Sequence, residues 1–99
     1  MMKIKNMMGN NGREVANQFV IENDNEVLFQ SYQSSIIEIN YNEQKIKVYE
    51  DYDYSRTTGK YRNKFLNDMG FYELSNLKDL NKALKNNQII NGFSVVAMF

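Results

Sequence analysis

Arg56, Lys60 and Lys64 stand four residues apart, which would align three cations on one face of a helix, with Arg62 displaced to the side. Such a stripe suits contact with phosphates or with an acidic protein surface. It equally suits a solvated face opposite Tyr61, Phe65 and Met69. Just before it, Glu50, Asp51 and Asp53 are interleaved with Tyr49, Tyr52 and Tyr54. Carboxylates this close repel unless something positive lies near them, so Asp51 and Asp53 are expected to pair with Arg56 and Lys60. Left free, and joined by Glu43, they would offer a partner's basic groove an acidic surface anchored by tyrosines. Close carboxylates also suit a divalent ion. Thr57, Thr58, Gly59 and Lys60 resemble a phosphate seat at a helix start but fall far short of a phosphate-binding loop, and capping is the simpler reading. Glu43-Gln44-Lys45 shares only a Glu-x-Lys ending with metal-dependent nuclease sites, and no partner carboxylate precedes it on a recognisable strand.

What is missing narrows the chemistry further. The chain has neither His nor Cys, so it lacks the commonest general base, the thiolate nucleophile and the usual transition-metal ligands. A catalyst would have to work with carboxylates and a divalent ion, or with Lys and Tyr. The expectation is a protein that is not an enzyme and holds no metal and no cofactor. Seven tyrosines in 99 residues exceed what one core needs, and Tyr at a surface is a good interface anchor.

Ninety-nine residues, 42% of them hydrophobic and 13% aromatic, fit one domain with one core. Apolar runs are too short to span a membrane and no signal-peptide pattern opens the chain, so a cytoplasmic protein is expected. The net charge is zero but unevenly placed. The first thirteen residues carry Lys3, Lys5 and Arg13. Glu14 to Asp53 holds nine acids against Lys45 and Lys47, and Tyr54 to Phe99 holds seven bases against Asp68, Glu73 and Asp79. The halves would present opposite electrical faces.

The elements that must position these groups can be read from hydrophobic period. Residues 1–14 read as a mobile or weakly docked arm, the alternative being a short edge strand at Lys3–Met7. Residues 15–99 read as a single α+β domain. Val15–Glu22 and Glu26–Ser31 alternate around an Asn23-Asp24-Asn25 turn, an expected hairpin. After a bulge or loop at Tyr32–Ser34, Ser35–Tyr41 and Lys45–Glu50 alternate again, with Ile46 and Val48 inward and Lys45, Lys47 and Tyr49 outward. Helical spacing then begins, with Ser55, Thr57 or Thr58 as cap, and a helix is predicted from Thr57 to Met69, stopped by Gly70. Ser75 is expected to cap a second helix carrying Leu77, Leu80 and Leu84, and Phe93–Met98 a last strand. The expected architecture is an antiparallel sheet of four to five strands with two short helices packed on one face.

Three stretches, NQFVI (17–21), FQSYQSSI (29–36) and DYSRTTGKYRNKFL (53–66), resemble a family of small phage and prophage proteins that form a domain of unknown function. The resemblance implies a mobile-element origin and carries no activity with it. Small non-catalytic proteins of that origin often inhibit host defence or regulate genes. The expected function is therefore a non-enzymatic, anti-CRISPR-type inhibitor of a host defence protein or ribonucleoprotein, with a CRISPR effector as the specific partner. In that reading Glu43, Tyr49, Glu50, Asp51, Tyr52, Asp53 and Tyr54 form the contact. The alternative is a small DNA-binding regulator using Arg56, Lys60, Arg62 and Lys64, and a homodimer is compatible with either.

Overall fold

The computed structural model describes residues 2–99, and Met1 lies outside the described residues. Among these, the order is β1 (Lys3–Met8), β2 (Glu14–Glu22), β3 (Glu26–Ser31), β4 (Ser34–Asn40), β5 (Lys45–Val48), α1 (Arg56–Asp68), a 3-10 turn (Tyr72–Leu74), α2 (Leu77–Asn86), β6 (Ile89–Ile90) and β7 (Phe93–Ala97). The class is α+β, but one sheet of seven strands, ordered β1-β2-β3-β4-β5-β7-β6, replaces the expected four to five. Nor is the sheet wholly antiparallel, because β5 and β7 run parallel. The chain leaves β5, crosses through both helices and returns beside it, the connection a parallel neighbour requires.

The two extra strands have different origins. β6 is two residues long, below what an alternating pattern can signal. β1 occupies the stretch where a mobile or weakly docked arm is expected. Its residues Lys3 to Asn6 pair with Glu22 to Phe19, so the short edge strand weighed as the alternative is the one found. Most of its side chains are exposed. Pairing of the backbone, with Met7 as the one buried side chain, orders this segment, which is why its composition gave so little warning.

Directly opposed residues share a face, so the strand register defines two surfaces. One row runs Val20, Phe29, Ile37, Val48, and the next holds Ile39, Ile46 and Val95. All seven are buried. Both helices cover this side: the Phe65 ring of α1 stacks on Phe29 at 5.7 Å, and Leu66, Leu80 and Ala83 join the same core. On the other side the row Ile4, Ile21, Leu28, Glu38, Lys47, Val96 carries no covering helix and turns from apolar to charged at β4.

Helix α1 starts one residue before its expected bound, with Ser55 as the cap. Its Oγ accepts the Thr58 N–H at 3.1 Å, and Gly70 at φ 89° follows the last turn, where only glycine enters the left-handed region without strain. The cap of α2 is Asn76, whose Oδ1 accepts the Asp79 N–H at 2.9 Å. Ser75, the expected cap, instead donates to the Tyr72 carbonyl at 2.7 Å and closes the 3-10 turn. Among the described residues no helix is long and apolar enough to cross a membrane.

Gly59 in the first turn of α1 has room for a methyl group. The atoms nearest an added Cβ are those of the Arg62 guanidinium, at 3.6 Å, an ordinary contact. Gly59→Ala is therefore expected to stabilise the protein by about 0.5–1 kcal/mol through helix propensity. The check is the urea midpoint. A fall in it would mean that the buried guanidinium needs the open space.

Candidate functional site

The acidic and basic residues singled out above do not form one surface. Glu43 sits exposed in the β4–β5 turn, 2.8 Å from Lys47 and 3.7 Å from Lys45. Its hydrogen bond with Lys47 holds the carboxyl below its ordinary range and Lys47 above its own. Lys47 also reaches Glu38 at 3.5 Å, to which the Tyr49 hydroxyl donates at 3.4 Å. Burial, followed by the charge on Glu38, raises the Tyr49 phenol. These four residues belong to the uncovered face of the sheet.

Asp53 and Tyr52 are drawn into structure through Arg62. The Arg62 side chain is only 2% exposed, and Nη1 donates to the Tyr52 carbonyl at 2.7 Å while Nε and Nη2 both reach Asn63 Oδ1. Asp53 lies 3.6 Å away. Burial pulls the guanidinium below its usual range, and Asp53 opposes that pull. The Tyr52 hydroxyl donates to Asn81 Oδ1 at 2.6 Å, and its ring stacks on Phe99 at 5.9 Å. So the expected pairing of Asp51 and Asp53 with Arg56 and Lys60 is corrected. Asp53 pairs with Arg62, and Asp51 accepts from Ser34 Oγ at 2.9 Å.

The basic stripe is likewise thinner than its spacing suggests. Arg62 points inward, and Lys64 pairs with Asp68 at 3.1 Å. Lys60 stands over the Tyr61 ring, 5.3 Å from its centre. Arg56 and Lys60 are exposed. With Arg62 buried and Lys64 half-buried and paired, the helix offers two exposed cations to a phosphate backbone.

Asp51 and Tyr54, by contrast, meet at an open cleft of about 570 Å³ between the β2–β3–β4 corner and the start of α1. Tyr54 is 75% exposed and Tyr32 49%, and both line it. The floor is polar: Ser31 Oγ and Thr58 Oγ1 lie 2.9 Å apart, Ser55 Oγ is 3.1 Å from Thr58 Oγ1, and Ser34 holds Asp51. Asn17 and Gln33 add amides, and Ile36 is the aliphatic member. Two of the lining residues hold left-handed backbone, Asn17 at φ 64° and Tyr32 at φ 55°. They are joined by a 2.6 Å bond from Tyr32 N–H to the Asn17 carbonyl. Asn takes that conformation readily but a bulky tyrosine does not, and strain of this kind gathers at binding sites. Glu50 is exposed on the same connecting segment.

The sequence reading reached Asp51, Tyr54 and, as a surplus aromatic, Tyr32. It missed Asn17, Ser31, Gln33, Ser34 and Ile36 as site residues, and weighed Thr58 only as part of a phosphate seat or as a cap. The available signal was the break in period at Tyr32–Ser34, which marks the tight turn joining β3 to β4 beside the cleft, next to a register shift between Phe29 and Gln30.

Behind this wall the Gln18 side chain is fully buried, with neither Nε2 nor Oε1 hydrogen-bonded. Its strand partner is Ser31. An unpaired buried amide costs about 1–3 kcal/mol. Gln18→Met, of similar length, is expected to raise stability by about 1 kcal/mol or more, read as a higher melting temperature. A lower one would show that the amide is satisfied in solution.

A family profile described as Family of unknown function (DUF8033) matches residues 2–90. No curated protein and no solved structure matches the chain.

Proposed function

We propose, from the premise that the chain belongs to the family of unknown function DUF8033, that it is a non-enzymatic binding protein of mobile-element origin. In this reading it occupies a host defence complex, a CRISPR effector being the specific target, through the cleft beside α1. One observation carries the choice of surface. Residues 17–21, 29–36 and 53–66, on which the resemblance to small phage and prophage proteins rests, are separate in the chain, and together they supply every cleft-lining residue except Asp51. Mutual packing explains Phe29 and Phe65 in these stretches. It does not explain an exposed Tyr54 or a left-handed Tyr32. Exposed tyrosines over a polar floor are the make-up of a protein contact. The missing histidine and cysteine support binding over catalysis, and the bacterial cytoplasm is where such a target resides.

Capture of host proteins from lysate tests this reading. Wild type and Lys60→Ala are expected to retain one stable partner, while Tyr32→Ala/Tyr54→Ala loses it by tenfold or more with an unchanged circular dichroism spectrum. No stable partner, together with fully active defence systems in cells making the protein, would overturn it. The second reading, a DNA-binding regulator, rests on the exposure of Arg56 and Lys60. It predicts retardation of duplex DNA at low salt that weakens steeply as salt rises, and absence of retardation would dismiss it.

A further inference from the structure

We infer that the cleft accepts a cationic side chain from the protein partner, an arginine guanidinium, with Asp51 as its counter-charge. This rests on the reading of the cleft as a protein-binding surface and names what that partner must present.

Asp51 Oδ2 accepts from Ser34 Oγ, and among the described residues no base lies within ion-pairing distance of its carboxylate, although Arg56 and Lys60 follow within nine positions. Ser34 thus fixes the carboxylate in the cleft wall while leaving its charge unneutralised. The two aromatic residues of the cleft are tyrosines, whose ring faces attract cations. The exposed Asn17 and Gln33 amides offer oxygen acceptors to further N–H donors, while the buried Ser31 and Thr58 hydroxyls bond each other beneath them. Negative charge, aromatic faces and spare acceptors are what a guanidinium uses. Its donors lie in one plane, so an edge can meet Asp51 while the face lies on a tyrosine, a combination the round ammonium of lysine cannot match.

Other occupants fit less well. A phosphate or carboxylate would face Asp51, and the helix terminus that might have attracted it is already capped by Ser55 at the Thr58 N–H. An aliphatic side chain would leave the carboxylate buried and unpaired, at the cost of its hydration.

The probe is a blocked tripeptide, acetyl-Gly-Arg-Gly-amide, titrated into the full chain and followed by amide chemical shifts. Its companions are the citrulline peptide, which has the same shape without charge, and the lysine peptide. The expected result is shifts at Ser31 to Ser34 and Asp51 to Thr58, several-fold weaker with lysine and absent with citrulline. Asp51→Asn should remove the response. Tyr54→Ala, at a site exposed enough not to endanger folding, should weaken it several-fold. Equal responses to arginine and citrulline, shifts centred elsewhere, or an unaltered response in Asp51→Asn would overturn the inference. No host protein enters this titration, so its outcome is separable from that of the capture experiment. Cleft-dependent capture without arginine preference removes only the present inference, and arginine binding without capture removes only the host-defence target.

Discussion

Phe65→Ala is expected to lower the unfolding free energy by about 3–5 kcal/mol. Phe65 is 1% exposed and stacks on Phe29, itself fully buried at the centre of the sheet row. It is the main side chain by which α1 grips the sheet, with Leu66 and Tyr61 beside it. Truncation removes the transfer energy of the ring and leaves a cavity that two packed layers cannot close. For a domain of this size the melting temperature should fall by on the order of 20 °C. Since total stability of such domains is about 5–15 kcal/mol, the variant would be marginal at best. Tyr72→Ala, at an exposed aromatic, should stay within about 0.5 kcal/mol of wild type. Equal effects at the two positions in a urea titration would contradict the assignment of the core.

Arg62→Ala should cost about 2–4 kcal/mol, the second largest loss. The guanidinium is buried, satisfies the Tyr52 carbonyl and lies beneath Gly59. Its removal leaves both a cavity and an unpaired carbonyl. The salt bridge itself is the lesser part. Asp53 is 52% exposed, so Asp53→Asn should cost under about 1 kcal/mol. Arg62→Lys keeps the charge without the fork and is expected to recover less than half the loss. The comparison, by chemical denaturation, separates a structural bolt from a surface ion pair. An Arg62→Ala variant as stable as Lys60→Ala would refute that role. Because Arg62 anchors the segment carrying Tyr52 and Tyr54, the variant should also loosen the cleft.

The same residue shows where sequence reading succeeds and where it stops. Helix α1 was legible to within a residue, since Tyr61, Phe65 and Met69 repeat at the helical period and Ser55 and Gly70 mark its ends. Strands β2 to β5 were legible from alternation. Yet no spacing rule says which cation of a helix turns inward. Arg62 does so because the Tyr52 carbonyl lies there to receive it, and that carbonyl's place depends on the loop's fold. The parallel return of β7 beside β5 was hidden for a related reason: Phe93–Ala97 alternates identically whichever neighbour it pairs with. β1 was hidden because its order comes mainly from backbone pairing, with Met7 alone buried. For the cleft, the acidic stretch gave Asp51 and Tyr54, but the acids around them went to separate tasks, Glu43 to the Lys47 network and Asp53 to Arg62. The other cleft residues come from β2, the β3–β4 corner and α1, which only the folded sheet brings together.

The central claim, that this cleft is the surface the protein uses, is tested most directly by hydrogen exchange of the chain in its captured complex. Binding at the cleft predicts slowed exchange at residues 31–36 and 51–58, with the uncovered sheet face at Lys45–Val48 and the exposed side of α1 around Lys60 unchanged. Protection confined to either of those two surfaces, with exchange at the cleft as fast as in the free protein, would contradict it.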